Sequence, residues 1–516
     1  MGTHPRNSHQ GTAVAVSRLA ERQAEISVAI PEDIHRTLMD HLYQTKLQED
    51  LTFAYWRPSQ GACRYSPILC ELSLPLDGER HLHGNAAFTG AYLRRALRER
   101  PDGAGIAFLH SHVGPGWQDM SSDDIVAERD RISGPAVGQS QLPLLGLTAS
   151  TDGTWSARLW SRTKPNTYER TWANSVRVVG TQIATSWNGL TTRPLDNASI
   201  DTQSVWGLDT QRSLMRMRIG IVGLGSVGSI VCEALARIGV AHVTLIDHDQ
   251  IETRNLDRTL GACSTDAKRG RSKVEVAARN FRLSSTLPEP QIRAIPHSLF
   301  SQEAIEAVLD CDVLLSCVDR PLPRHTLNVI AYSHLIPVVD GGILAKVDAN
   351  GRPLHVDWRI HTVGPERRCL VCLGAVTRSD IALDRDGLLD DPDYIANLPM
   401  HERATSSGRN VFPFSLSVAA HMCLQLAKLA GAGERVGGIG PQRYHAYPGS
   451  MKVRADSTCD EDCEYSSLCA TALSSSILLP DKLSPKREVP AKSRRIPSGV
   501  SGILARLRTL YSRGAR

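Results

Sequence analysis

No stretch of about 18 uninterrupted apolar residues occurs in this chain of 516 residues, which excludes a helical membrane span. The opening MGTHPRNSHQGTAVAVSRLAERQ lacks the continuous apolar core of a secretory signal, so a cytoplasmic address is expected. Internal repeats are absent. So is a strong charge of either sign: 59 Lys+Arg against 54 Asp+Glu leave a net charge of +5, much of it beyond residue 471. That basic tail, 471–516, is read as a solvated, disordered extension, with contact to nucleic acid or an acidic partner as the lesser alternative.

What is present is the balance of a globular protein, 41% apolar and 22% charged. A chain this long exceeds one ordinary core, so at least two domains are expected. Twelve cysteines in a cytosolic chain point to thiols, metal ligands or catalysis before disulfides.

Residues 1–30 read as a flexible leader, and PEDIHRTLMDHLYQ after it as a helix opened by Pro31. LTFAYWRPS, SPILCELSLPL, GAGIAFLHSH, LPLLGLTAS and TWSARLW read as strands, and GNAAFTGAYLRRALRER as a helix stopped by Pro101 and Gly103. These give a mixed α/β domain over 31–195, with the polar segment 188–202 as the boundary. From Arg218, RIGIVGLGSVGSIVCEALARIGVAHVTLIDHD spells strand, glycine turn, helix and strand, a βαβ unit. DVLLSCVD and IPVVDGG continue the alternation, so 196–470 is expected to be α/β with a doubly wound, mostly parallel, Rossmann-like sheet.

Gly223, Gly225 and Gly228 form G-x-G-x-x-G, where missing side chains let backbone N–H groups reach a phosphate at a helix N-terminus. Asp247, closing the second strand, is placed to hold a ribose. On these residues alone an NAD-dependent oxidoreductase stays open. The run LIDHDQIETRNLDRT, followed by Lys273, SCVDRPLPRHTLN and VVDGG, resembles the ThiF and MoeB adenylyltransferases, relatives of ubiquitin-activating enzymes. The resemblance covers about 205–430. It implies that Asp247 binds ribose, that Asn255, Arg258 and Lys273 contact the triphosphate of ATP, and that Asp319 holds Mg²⁺. Such a set suits a carboxylate attacking a phosphate, because the approaching anions must be neutralised. Two departures stand out. The arginine that precedes the first strand in relatives is missing from SVWGLDTQRSLMRMR, leaving Arg212 and Arg216 as substitutes, and 373–421 contain no cysteine to carry a thioester.

Cys369 and Cys372 form C-x-x-C, and Cys459 and Cys463 form C-x₃-C, a tetrad suited to a closed tetrahedral Zn²⁺ site, with Cys469 as an alternative ligand. Unliganded thiols and a reactive cysteine are the other readings; Cys232 and Cys317 read as core.

His110-Ser111-His112 ends an apolar strand, and residues i and i+2 on a strand point to one side, so both imidazoles can reach one metal with Asp124 as third ligand. With Ser121 and Asp124 downstream, the pattern resembles the JAB or JAMM (MPN-like) metalloproteases, at one residue more than the family spacing, which makes Asp123 a rival ligand. The resemblance implies that Ser121 stabilises the oxyanion and that an upstream glutamate activates the zinc-bound water: Glu49, ahead of Glu71 and Glu79.

Together these imply a JAB-type zinc peptidase domain, separate from and preceding a ThiF-type adenylyltransferase. Both would act on a ubiquitin-like or sulfur-carrier protein ending in glycine, as in a bacterial ubiquitin-like pathway. A homodimer and a conjugating-enzyme partner are expected by resemblance. A scaffold with decayed sites is the non-enzymatic alternative, resting on the altered arginine segment and the histidine spacing.

Overall fold

The computed structural model describes residues 24–189, 205–347, 353–392, 410–432, 440–455 and 457–478. Its first part comprises strands β1 (Glu25–Pro31), β2 (Leu51–Gln60), β3 (Arg64–Ser73), β4 (Arg80–His83), β5 (Asn85–Phe88), β6 (Gly105–Ser111), β7 (Leu144–Ala149), β8 (Trp155–Lys164), β9 (Thr167–Trp172), β10 (Ser175–Val179) and β11 (Ile183–Trp187). Nine of them form one sheet, in the order β11-β10-β1-β3-β2-β6-β7-β8-β9, and β4 and β5 pair as a separate hairpin.

The continuous apolar run of β2 reflects a sheet covered on both faces. Ala54 and Trp56 join Leu38 and Leu42 of helix α1 (Glu32–Leu42) in one core. Phe53 and Tyr55 point the other way, toward Tyr92 and Ala96 of α2 (Gly90–Glu99). Two further helices, α3 (Ser122–Ile125) and α4 (Ser133–Ser140), are joined by a π-helical turn at Val126–Ile132.

Two expectations are corrected here. The end of the supposed leader is β1, paired in parallel with both β3 and β10, because Ile26, Val28 and Ile30 alternate into the core. The helix expected from Gly84 begins only at Gly90. Thr89 caps it by accepting from the Tyr92 N–H, and Asn85–Phe88 before it are strand β5, with Phe88 edge-on to Phe53.

The second sheet comprises β12 (Arg218–Val222), β13 (His242–Ile246), β14 (Gln291–Ile295), β15 (Val313–Ser316), β16 (Val338–Val347), β17 (Pro353–Val363), β18 (Gln442–His445) and β19 (Ser450–Val453). Its order is β14-β13-β12-β15-β16-β17-β18-β19. The first five strands are parallel. Counted from β12 they run 3-2-1-4-5, the doubly wound order, with its crevice where the chain leaves β12 and β15 in opposite directions. The remaining three extend the sheet antiparallel, an addition not anticipated from the sequence. The helices here include α5 (Leu208–Arg216), α6 (Ser226–Arg237), α7 (Ser264–Lys268), α8 (Lys273–Ser284), α9 (Gln302–Val308), α10 (Pro321–Ser333), α11 (Arg378–Arg385) and α12 (Phe412–Leu429).

The first part has its own sheet and packs directly against the second, so that all described residues fall in one compact unit. Ala29, Ile68 and Val179 share a core with Leu214, Ile219 and Val313. Beside it Arg64 of β3 and Arg177 of β10 converge on Asp312, which also accepts the Arg218 N–H. The boundary at 195/196 and the basic tail beyond residue 478 lie outside the described residues, whereas Ser475–Leu478 at the tail's start form a helical turn with Leu478 buried. Among the described residues no helix is long and apolar enough to cross a membrane.

Candidate functional sites

The glycine turn links β12 to α6. Gly223 has φ 88°, and a Cβ there would lie 2.8 Å from the carbonyl of Cys317. A Cβ at Gly228 would overlap the carbonyl of Gly223, so that residue lets α6 pack against the turn. At Gly225, which caps α6, an added Cβ meets nothing within 4 Å: open space at a helix N-terminus, where a phosphate can approach.

From this turn a chain of polar contacts runs outward. The buried Asp247 accepts the Leu224 N–H (2.6 Å) with one carboxylate oxygen and the Asp249 N–H (2.8 Å) with the other. Asp249 in turn accepts from Lys273 Nζ at 2.7 Å. Burial raises the Asp249 carboxyl, but the Lys273 ammonium outweighs it and holds the group below its ordinary range. Asp249 escaped sequence reasoning; its only signal was its place two residues after Asp247. Asn255 ends a 3₁₀ turn and accepts the Glu252 N–H, while Arg258 donates to Asp257 and to the Arg254 carbonyl. Asp319 stands exposed between β15 and α10. Among the described residues no direct contact joins Arg258 or Asp319 to Lys273. Of the substitute arginines, Arg212 pairs with Asp209 and Arg216 lies over the Trp187 ring.

In the first sheet three groups converge. The Nε2 atoms of His110 and His112 are 3.2 Å apart, and Asp124 places Oδ1 3.3 Å from the first and Oδ2 3.2 Å from the second. Four ligands held about 2.05 Å from a tetrahedral Zn²⁺ lie about 3.3 Å from one another, so the two imidazole nitrogens have the spacing of two such ligands, and each has a different Asp124 oxygen at about that distance. Burial pushes the Asp124 carboxyl up, yet hydrogen bonds from both imidazoles hold it well below its usual range. The hydrogen bond to Asp124 raises His112 against the effect of burial, and the charge of Glu49 adds to this. Glu49 comes within electrostatic reach of His112: Leu51 pairs with His110 in the antiparallel β2–β6 register, and Glu49 and His112 flank the ends of those strands. Glu79 is paired with Arg95, and Glu71 is exposed on β3. Ser121 caps α3, its Oγ accepting the Asp124 N–H, and this capping box aims the Asp124 carboxylate. Asp123 is exposed and outside the group.

Cys369, Cys372, Cys459 and Cys463 form a third cluster. Sγ of Cys369 and Cys463 are 3.7 Å apart, against about 3.8 Å for four sulfurs held 2.3 Å from a tetrahedral Zn²⁺. Backbone N–H groups of Cys369 and Cys372 donate to the sulfurs of Cys459 and Cys369. Cys469 lies outside the tetrad, against the core. Cys232 is buried in that core, and Cys317 is packed against it.

The second sheet is doubly wound with a glycine turn after its first strand, and the comparisons bear on that half. Residues 197–422 match the ThiF family. The molybdopterin-synthase adenylyltransferase of Escherichia coli (strain K12) is 33% identical over 138 residues, 26% of this chain and 53% of that protein. The sulfur carrier protein ThiS adenylyltransferase of the same organism is 30% identical over 132 residues, 26% and 51% of the two chains. The SAMP-activating enzyme E1 of Haloferax volcanii is 29% identical over 164 residues, 32% of this chain and 57% of that protein. The chain thus spans little more than half of each of these relatives.

Proposed function

We propose that the chain is an ATP-dependent adenylyltransferase for the C-terminal glycine of a small ubiquitin-like or sulfur-carrier protein, joined to a JAB-type zinc peptidase that acts on the same partner. The observation that carries the first half is the run of contacts Leu224, Asp247, Asp249, Lys273. It fixes a cation beside an open glycine turn, within a segment similar to named adenylyltransferases.

In this reading the partner's carboxylate attacks the α-phosphate of ATP, pyrophosphate leaves, and an acyl-adenylate and pyrophosphate result. Lys273 and Arg258 offset the charge that builds on the phosphates, and Asp247 orients the ribose. Asn255 holds the Arg258 loop by fastening Glu252. Asp319 is the residue to hold Mg²⁺, which supplies further charge neutralisation when bound.

For the second half, His110, His112 and Asp124 would hold Zn²⁺, whose contribution is to acidify a bound water. Glu49 would take up the proton in this reading. The Ser121 hydroxyl, already accepting from Asp124, keeps its own proton to donate to the developing oxyanion. The cysteine tetrad would hold a second, structural Zn²⁺. With no cysteine in 373–421, the adenylate is handed to sulfur transfer or to a separate conjugating enzyme rather than to a thioester in this segment. A homodimer and a cytoplasmic location belong to this reading.

A precursor extended beyond its Gly-Gly tests the pairing of the two halves. The zinc-loaded protein should remove the extension, and the product alone should then stimulate pyrophosphate release from ATP. Cleavage that persists in His110→Ala, or equal pyrophosphate release with the uncleaved precursor, would sink the proposal.

A further inference from the structure

The turn between β2 and β3 is pinned to one end of the second sheet. The Ala62 N–H donates to the Glu306 carbonyl of α9 at 3.1 Å, and the Cys63 and Arg64 N–H groups donate to Asp310 Oδ1 at 3.1 and 2.9 Å. Ser59 meets His334 at the close of α10, and the Arg64 guanidinium meets Asp312 just before β15. Arg218, the first residue of β12, pairs with Glu25 of β1, and Arg367, just beyond β17, donates to the Thr181 carbonyl at 2.6 Å. Val363 closes β17 beside Val338, the first residue of β16. All of these contacts therefore join the first part to the amino ends of the parallel strands.

The two candidate sites lie at the opposite ends. The glycine turn starts at Gly223, five residues beyond Arg218, which is about 17 Å of strand. In the first sheet Leu51 pairs with His110, so the His110, His112 and Asp124 group sits where β2 begins, whereas Ser59, eight residues on, is at the seam. Those residues span about 26 Å. Thus β2 runs into the seam and β12 runs out of it. The sites are about 31 Å apart if the two strands stand at right angles and about 43 Å apart if they lie in line. A folded partner of about 80 residues is about 30 Å across, and a free tail of about five residues reaches about 17 Å. Docked at either site, it cannot present its C-terminus to the other.

From this placement we infer that the two halves do not pass the partner directly: the trimmed protein leaves the peptidase site for solution and reaches the adenylation site as a free ligand. The inference rests on the two activities proposed above. It adds that the trimmed protein joins a common pool, in which mature partner from any source competes for activation. The single chain fixes the ratio of the two enzymes and does not channel their intermediate.

The test uses the unaltered full chain, loaded with zinc, and a fluorescently labelled ubiquitin-like precursor extended beyond its Gly-Gly. ATP is added with a tenfold excess of the same protein, unlabelled and already ending in Gly-Gly. Release predicts that the labelled share of the acyl-adenylate equals that of the mature pool, a fall of about tenfold by mass action. A labelled share that stays well above the pool overturns the inference. In a second arm, an equimolar mixture of His110→Ala and Lys273→Ala chains should turn precursor into adenylate as fast as the unaltered chain at the same concentration of each intact site. A mixture slower by more than about threefold would reveal the high effective concentration of a tethered transfer and also overturns it. Precursor that keeps its extension defeats the peptidase reading, and mature protein that forms no adenylate defeats the adenylation reading; the two failures are read separately, and either removes this inference with it.

Discussion

Arg64 on the first sheet and Asp312 at the foot of β15 form a 2.7 Å ion pair with both side chains buried, and Asp312 draws in Arg177 as well at 3.3 Å. Burial pushes the Asp312 carboxyl up, but the two guanidinium groups prevail and hold it at about 2. Asp312→Asn would leave two buried arginines short of their counter-charge. A loss of about 3 to 5 kcal/mol is expected, read as a lower denaturant midpoint of one cooperative transition. If the loss stays below about 1 kcal/mol, a size usual for exposed pairs, the seam contributes little.

A second joint crosses the same seam, where Ser59 of β2 meets His334 Nδ1 at 2.8 Å. Burial lowers this imidazole to about 4, while the unfolded chain titrates near 6.5. The unfolded state therefore takes up a proton that the folded state refuses. The site costs nothing above about pH 6.5, and stability falls as pH drops toward 4, by about 3 kcal/mol in all. Urea unfolding at pH 7.0, 5.5 and 4.5 should show this slope, reduced in His334→Gln; an equal slope in that variant contradicts the assignment.

At the glycine turn, Gly228→Ala forces a Cβ onto the Gly223 carbonyl. Displacing the turn should weaken ATP binding at least tenfold in calorimetry and destabilise the fold, whereas Gly225→Ala, with open space around it, should weaken ATP binding while leaving the thermal midpoint within about 2 °C. Equal thermal losses in both variants would contradict the separate roles given to these glycines.

For the cysteine tetrad, Cys369→Ser should remove one equivalent of zinc and lower the thermal midpoint, while His110→Ala removes a different equivalent and leaves the fold nearly as stable. The asymmetry follows from the positions of the ligands, Cys369 being fully buried beside Tyr332 and Tyr465. Unchanged zinc content in Cys369→Ser would contradict it.

The legible parts of the sequence were those with short-range signals. The run of β2 and the strand, turn, helix and strand of 218–246 each carry their periodicity within a few residues, whereas the alternation of β1 was hidden by its polar neighbours and was read as leader. His110 and His112 could be placed because i and i+2 share a face, and register then carried Glu49 to them. What stayed hidden was pairing at long range. Arg64 and Asp312 are 248 positions apart, and nothing local marks either as half of a buried joint. Arg158 and Glu128 look like surface charges until the π-helical turn and β8 bring them together. The antiparallel extension β17 to β19 was missed because its strands are separated by 78 intervening positions between Val363 and Gln442.

The central claim is adenylation, and Lys273 gives the sharpest access to it. The measurement is ATP–pyrophosphate exchange by the full chain with a small protein ending in Gly-Gly. Exchange should require the partner's terminal glycine and fall by about 10²-fold or more in Lys273→Ala. Exchange indifferent to the terminal glycine, or undiminished in Lys273→Ala, would contradict the account.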